Sequence, residues 1–527
     1  MNENAIRATL WTGVMALVSL LIAPVIAAQP EGKEVLRTYC VACHSEEGAG
    51  TALSRISAQR KTPEGWHMTL NRMEHLRAVK LPLAEKRALI KHLADTQGLA
   101  PAEADPYRYL LEQDTNIVEL TPEPYVEMCA RCHSGARFGL QRRNEEEWRL
   151  LVHFHMGQYP PIELHALSRD RPWMHLALTE TVPQLAADFP LDSGAWRDWQ
   201  LAPKPALAGQ WRMLGYMPGK GEFDARLSAS EAARDHFSLS VEGQYADGTP
   251  LRGEGNATVY TGYEWRGDLN LGGLRTRQVM AAAMDGSEMS GRLFMRDARE
   301  IGARLRVVRE GPDSRVHALI PSHLRIGETG TVTIVGSRLD GPISFGDGVR
   351  VLEEVSRNAD RITVRVEATG SVGARDVAVG AARGVGLLAV YDRIARVEVS
   401  PENAVARVGG PGDSQMEKVR VTYRAVAYAS TPDGKDELRL GFVPVTWSVE
   451  PADDVARESE DHLFAGSIDM NGVFTPGDAG PNPKRFMSGG NTGRLSVVAS
   501  VADGGALVTG RASLLVAVPD FVRRVLD

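Results

Sequence analysis

Cysteine is scarce, with 4 in 527 residues, which rules out a scaffold built on disulfides. Aromatic residues are few as well, at 6%, and positive charge holds no surplus: 60 Lys+Arg stand against 67 Asp+Glu, for a net charge of −7. A nucleic-acid-binding surface needs a basic balance, and this chain lacks one. Beyond the first 28 residues no stretch reaches the roughly 20 apolar residues that a membrane-spanning helix requires. What is present is globular in character, since 43% hydrophobic and 24% charged residues exclude a largely disordered chain. The length suits about three to five domains of roughly 100–200 residues each.

The first segment reads as a secretory signal peptide. Arg7 precedes an apolar run over 10–26, and small residues come next at Ala27 and Ala28. This three-part pattern predicts removal of residues 1–28 and an exported, periplasmic mature protein. A retained membrane anchor is the competing reading. The shortness of the run, Pro24 within it and the small residues at its end argue against that.

All four cysteines fall in two matching patterns. Cys40-Val41-Ala42-Cys43-His44 and Cys129-Ala130-Arg131-Cys132-His133 are both C-x-x-C-H, the pattern of c-type haem attachment. Two thiols three positions apart on a helical turn can each form a thioether to one haem vinyl, and the adjacent His offers a ring nitrogen to the iron. A zinc site of four thiolates would leave both histidines without a role, and a thioredoxin-like dithiol needs a βαβ context that is missing. The pattern predicts two covalent haem c groups on Cys40, Cys43, Cys129 and Cys132, with His44 and His133 as iron ligands.

Downstream of each motif the sequence repeats. Gln59-Arg60-Lys61-Thr62-Pro63-Glu64-Gly65-Trp66 matches Gln141-Arg142-Arg143-Asn144-Glu145-Glu146-Glu147-Trp148 at Gln, Arg, a second basic residue, Glu and Trp, at a constant offset of 82 residues. The repeat predicts two duplicated cytochrome c modules, over 29–104 and 105–205. Past each Trp the spacing predicts a helix: Trp66, Leu70 and Met73 share one face in the first copy, as do Trp148, Val152 and His155 in the second. Met73 and His155 occupy matching positions, and Met sulfur and His nitrogen are the usual distal ligands of electron-carrying haems. The expected pairs are His44/Met73 and His133/His155. His67, Met68 and His75 compete in the first copy and His153 and Met156 in the second, and a Met at helical spacing is more often core than ligand. Residues 83–97 predict a closing helix stopped by Gly98, with a weaker counterpart over 176–189 interrupted by Pro183. Trp173, Trp196 and Trp199 are expected at the seam to the next domain.

From about residue 206 glycine becomes frequent and short alternating runs appear. Phe237-Ser238-Leu239-Ser240-Val241, a turn at Asp247-Gly248, a run through Val259, Thr261 and Tyr263, and Gly291 to Asp297 predict one antiparallel, barrel-like β domain over 206–312. Runs at 331–336, 362–366 and 376–379 predict an immunoglobulin-like β domain over 313–393. Runs at 397–399, 419–421, 445–449 and 495–499 predict a β-sandwich over 394–527, with Trp447 as its core anchor and 451–461 as a surface loop. The fold class expected is therefore an all-α dihaem cytochrome c module and, after it, three antiparallel all-β domains. No catalytic constellation is visible in the β half.

The whole pattern resembles the alpha (large) subunit of quinohaemoprotein amine dehydrogenase. Carrying the resemblance are the two C-x-x-C-H motifs, the context from Met128 to Arg137, Val152-His153-Phe154-His155, and the three β domains beyond them. The resemblance implies a periplasmic heterotrimer that deaminates primary amines oxidatively. A cysteine tryptophylquinone on a small subunit, held between this chain and a β-propeller subunit, would oxidise the amine. Two haems on this chain would then pass electrons to a soluble cytochrome c or blue copper protein. This chain would have no catalytic residues of its own. A self-sufficient dihaem enzyme such as a peroxidase, and a dihaem redox-sensing or binding protein, are the alternatives.

Overall fold

The computed structural model describes residues 30–48, 52–114, 116–117, 119–164, 171–410, 416–486 and 490–518. Residues 1–28, expected to be a signal peptide, lie outside them.

The first module packs α1 (Gly32–Cys40), α2 (Pro63–Arg77) and α3 (Leu83–Thr96) around Trp66, Leu70, Leu89 and Leu93. Short helices α4 (Pro101–Ala104), α5 (Arg108–Leu111) and α6 (Ala136–Gly139) lead to α7 (Glu145–Gln158) in the second module. The two long repeat helices start alike. Thr62 Oγ1 accepts from the Gly65 N–H at the head of α2, and its repeat equivalent Asn144 accepts through Oδ1 from the Glu147 N–H at the head of α7. The second module's core gathers Trp148, Val152, Trp173 and Val182. It closes with α8 (Pro161–Leu164), α9 (Trp173–Leu176), a π-type turn over Ala177–Thr181 and α10 (Val182–Asp188). Pro183 falls directly after the π-type turn, at the start of α10, and the helical backbone runs on through it to Asp188. α11 (Gly194–Leu201) carries Trp196 and Trp199 into the core of the next domain, whereas Trp173 belongs to the second module.

This unit is not all-α, which corrects the expected fold class. β1 (Glu46–Glu47) and β2 (Ala52–Leu53) form a hairpin, and β3 (Gln59–Lys61) pairs antiparallel with β4 (Gln141–Arg143), one strand from each module. The reason is local. Five of these six polar side chains are buried, and a pair of extended strands satisfies its own backbone while sending alternate side chains to opposite faces. Arg60 and Arg142 share one face and reach Glu103; Gln59 and Arg143 share the other and reach Glu147.

Eight strands, β5–β12, come next at Gly209–Met217, Gly221–Ala233, His236–Tyr245, Pro250–Tyr260, Glu264–Leu271, Leu274–Ala282, Glu288–Met295 and Ala298–Arg309. Each pairs antiparallel with its successor, and β12 returns to β5, closing a barrel filled by Trp211, Met213, Leu227 and Trp265. The run expected through Thr261 breaks there: Thr261 has φ 57° and Gly262 φ 78°, a turn rather than a strand. Helix α3 holds that turn, since Asp95 accepts from the Thr261 N–H at 2.8 Å and Ala94 O from its hydroxyl at 3.0 Å.

The last two domains contain parallel pairs, against the antiparallel expectation. His323–Arg325 runs parallel to Ala389–Tyr391, and Asn403–Arg407 runs parallel to Ser513–Ala517. In each case an early strand lies beside the domain's final strand and points the same way. Trp447 is a half-buried rim residue against Tyr423, and the buried anchors of that domain are Tyr423 and Phe474. The stretch 451–461, expected as a surface loop, contains a short helix, Asp454–Glu458, and a second, Asp461–Phe464, begins where it ends.

Candidate haem sites

Each cysteine pair occupies a single turn. Cys40 ends α1, the backbone stays helical through Val41, and the Cys43 and His44 N–H groups donate to the Cys40 carbonyl at 3.2 and 2.9 Å. In the second module the turn continues a π-type stretch, Val126–Ala130, and the Cys132 N–H donates to the Cys129 carbonyl at 3.3 Å. The first cysteine of each pair is half-buried and the second exposed. Burial, then the neighbouring Cys43 sulfur, push the Cys40 thiol up to about 11; burial and Cys132 push the Cys129 thiol up to about 12. A redox-active dithiol needs the opposite shift, toward an easily formed thiolate. Among the described residues no three His, Cys, Asp or Glu side chains are grouped to hold a metal ion, so four thiolates do not converge as zinc would require.

The histidine rings are anchored at Nδ1. His44 Nδ1 lies 2.8 Å from the Ser54 carbonyl, and His133 Nδ1 lies 2.9 Å from the Ser134 carbonyl. A carbonyl only accepts, so Nδ1 carries the proton and Nε2 bears the lone pair that a metal uses. His155 has the same tautomer, its Nδ1 being 2.8 Å from the Leu151 carbonyl one turn earlier in α7. The His133 and His155 ring centres are 6.3 Å apart. Two metal–imidazole bonds of about 2 Å, with each ring centre about 1 Å behind its nitrogen, call for roughly 6 Å. The pair therefore fits an iron between them.

Met73 is half-buried on α2 and stands outside the packed cluster of its module, so it does not serve as core. Of the rivals, His75 and His153 are exposed, and Met156 packs into the second module's core. Arg72, beside Met73, lies over the Phe154 ring at 4.7 Å. These two residues are themselves repeat equivalents, so α2 and α7 meet at matching positions, and Met73 and His155 flank the contact.

The sequence reading missed Glu103. Arg60 grips it with both terminal nitrogens at 2.8 Å, and Arg142 adds a bond at 3.1 Å. The visible signal was a helix start, Pro101 with a Glu two positions on, whose carboxylate also accepts from the Ala100 N–H. The barrel is tied to the same unit by Arg266, which binds Glu64 at 2.6 Å and Glu264 at 2.7 Å, all three buried.

Paired thiols on single turns, each with a ring-anchored histidine directly after it, at the front of a string of β domains define a haem-binding oxidoreductase subunit. Four family models match along the chain. They are the haem-binding region of the quinohemoprotein amine dehydrogenase alpha subunit at 30–196, and its domains II, III and IV at 204–310, 313–392 and 397–526. The chain belongs to the quinohemoprotein amine dehydrogenase alpha-subunit family, and is a haem-binding subunit of an amine dehydrogenase. A search of curated protein sequences finds no match. Among solved structures, a redesigned β-barrel, mFAP1, bound to DFHBI is 17% identical, with 20% of this chain and 94% of that chain covered at a TM-score of 0.18. The protocadherin GammaB4 extracellular domain is 10% identical, with 60% of each chain covered, also at 0.18.

Proposed function

We propose that this chain is the dihaem c electron-transfer subunit of a periplasmic quinohaemoprotein amine dehydrogenase. Residues 1–28 direct export and are then removed. Cys40 and Cys43 hold one haem, with His44 and Met73 on its iron; Cys129 and Cys132 hold the other, with His133 and His155. Bound there, the haem irons supply one-electron oxidation and reduction. The chain's own residues fix the geometry: backbone carbonyls orient the three imidazoles, and α2 and α7 carry the distal side chains. Sulfur ligation raises a haem's potential relative to two imidazoles, so the unequal pairs give the electron a direction.

Electrons enter from a cysteine tryptophylquinone on a small partner subunit, where the primary amine is oxidised. A β-propeller subunit completes a heterotrimer, and a soluble cytochrome c or blue copper protein takes the electrons away. All four cysteines are committed to haem, which leaves none on this chain to build the quinone.

The observation that carries the reading is the shared ring anchoring of His44 and His133, each directly after its cysteine pair. The test is purification from the periplasm, then haem staining of a denaturing gel and intact mass. Two covalent haems on this chain and a stoichiometric small quinone-bearing partner are expected. A chain without covalent haem refutes the proposal.

A further inference from the structure

The second basic residue of the repeat, Lys61 in one module and Arg143 in the other, has an unusual setting. Both side chains are buried, at 3% and 4% exposure, and each lies over its own module's tryptophan, Lys61 over Trp66 at 5.1 Å and Arg143 over Trp148 at 5.6 Å. Arg72 and Arg55 are close enough to add to the same positive field. One carboxylate, Glu147, faces these four cations, and it is already engaged: Arg55 binds it at 2.9 Å, Arg143 at 3.3 Å and Gln59 at 3.4 Å. The Lys61 ammonium donates to the Thr69 hydroxyl at 2.7 Å and makes no ion pair among the described residues; neither does Arg72, whose guanidinium rests on the Phe154 ring. Burial first, then Arg143 and Arg72, hold the Lys61 ammonium well below the ordinary lysine range. Trp148 adds an independent sign. It is 1% exposed, and its Nε1–H has no acceptor among the described residues, although its counterpart Trp66 donates to the Gln97 carbonyl.

Buried charge is favourable only when it is compensated, and here four cations face one carboxylate. An anion that balanced them would bring acceptor oxygens for an ammonium, a guanidinium and an indole N–H, between α2 and α7. Arg143 is already satisfied, its nitrogens donating to Gln141 Oε1 at 3.2 and 2.8 Å and to Glu147 at 3.3 Å. We propose that Lys61 and Arg72 bind a propionate carboxylate of haem at the junction of the two modules, with Trp148 Nε1 as a further donor. This rests on the haem reading above and goes beyond it, because it gives a buried basic residue of the repeat a role in setting haem potential. Cations beside the propionates offset their negative charge and favour the reduced iron.

The test uses full-length holoprotein carrying K61M or R72Q. Haem content is expected to stay at the wild-type value, which separates this proposal from the attachment reading, because failure of that reading leaves the wild-type chain without covalent haem. The midpoint potential of at least one haem should fall by about a tenfold change in its redox equilibrium, 59 mV for one electron. The propionate bending band in the resonance Raman spectrum should shift with it. Should K61M fail to yield holoprotein, R72Q carries the measurement, since Arg72 is only half-buried and makes no ion pair among the described residues. Unchanged potentials and bands in R72Q overturn the proposal. So does a phosphate-dependent rise in the wild-type melting temperature that K61M abolishes without any change in potential, because a solvent anion then fills the site.

Discussion

Arg60 and Arg142 stand directly opposite each other across the β3–β4 pair, and both guanidiniums close on the single carboxylate of Glu103. Two cations side by side in the interior repel, and only the shared anion makes the arrangement favourable. Glu103 belongs to neither copy of the repeat signature; it lies between the two and holds them together.

Removing that anion while keeping its shape should be costly. E103Q leaves two buried guanidiniums short of charge, and a loss of about 3–5 kcal/mol in unfolding free energy is expected. Denaturant titration of the holoprotein measures it. A loss below about 1 kcal/mol would show that the modules cohere by other means.

The same carboxylate sets an acid limit. Burial alone would raise it, but the Arg60 hydrogen bonds and the charges of Arg142 and Arg60 outweigh burial and hold it at about 2, below the ordinary 4.5. The unfolded chain then takes up this proton more readily than the folded one. The stabilisation is complete above pH 4.5 and is lost as pH falls from there through 2, amounting to about 3 kcal/mol. Stability measured against pH should show this decline in the wild type and lack it in E103Q.

The distal ligands are open to direct test. M73A and H155A should each convert one haem from six-coordinate low-spin to five-coordinate, read by absorption and magnetic circular dichroism. H75A and H153A, at exposed positions, should leave both spectra unchanged. A spectral change in H153A with none in H155A would move the assignment.

Attachment is counted separately. The double variant C40A/C43A should halve covalent haem staining on a denaturing gel, and intact mass should show one haem addition in place of two.

Gly98 is fixed by close approach. A Cβ there would sit 2.2 Å from the Ala94 carbonyl oxygen and 2.7 Å from Thr261 Oγ1, where α3 meets the barrel turn. G98A should cost about 1–3 kcal/mol and loosen that junction, visible as a lowered melting temperature.

The chemistry legible in the sequence was the part that depends on short spacing. Cys40 and Cys43 must share a turn, and Trp66, Leu70 and Met73 recur on one face of α2, so local patterns disclose both features. Gly98 marked the end of α3 because a glycine is required there. The β3–β4 pairing was not legible, since Gln59-Arg60-Lys61 has no alternation of apolar and polar residues and becomes a strand only because its equivalent 82 residues later supplies the partner. Thr261 misled for a related reason: its β-branched side chain favours a strand, but its contacts to Asp95 and Ala94, far away in sequence, bend it into a turn. The parallel closures His323–Arg325 and Asn403–Arg407 likewise rest on partners at the far end of their domains.

The strand shared by the two repeats has made them interdependent. Among the described residues neither three-residue strand pairs with another strand of its own copy, β4 having there only the single bridge from Arg143 to Pro190, so a gene fragment encoding one copy would expose an edge and strip Glu103 of half its counter-charge. A truncation that separates the copies should therefore cost both of them their common anchor.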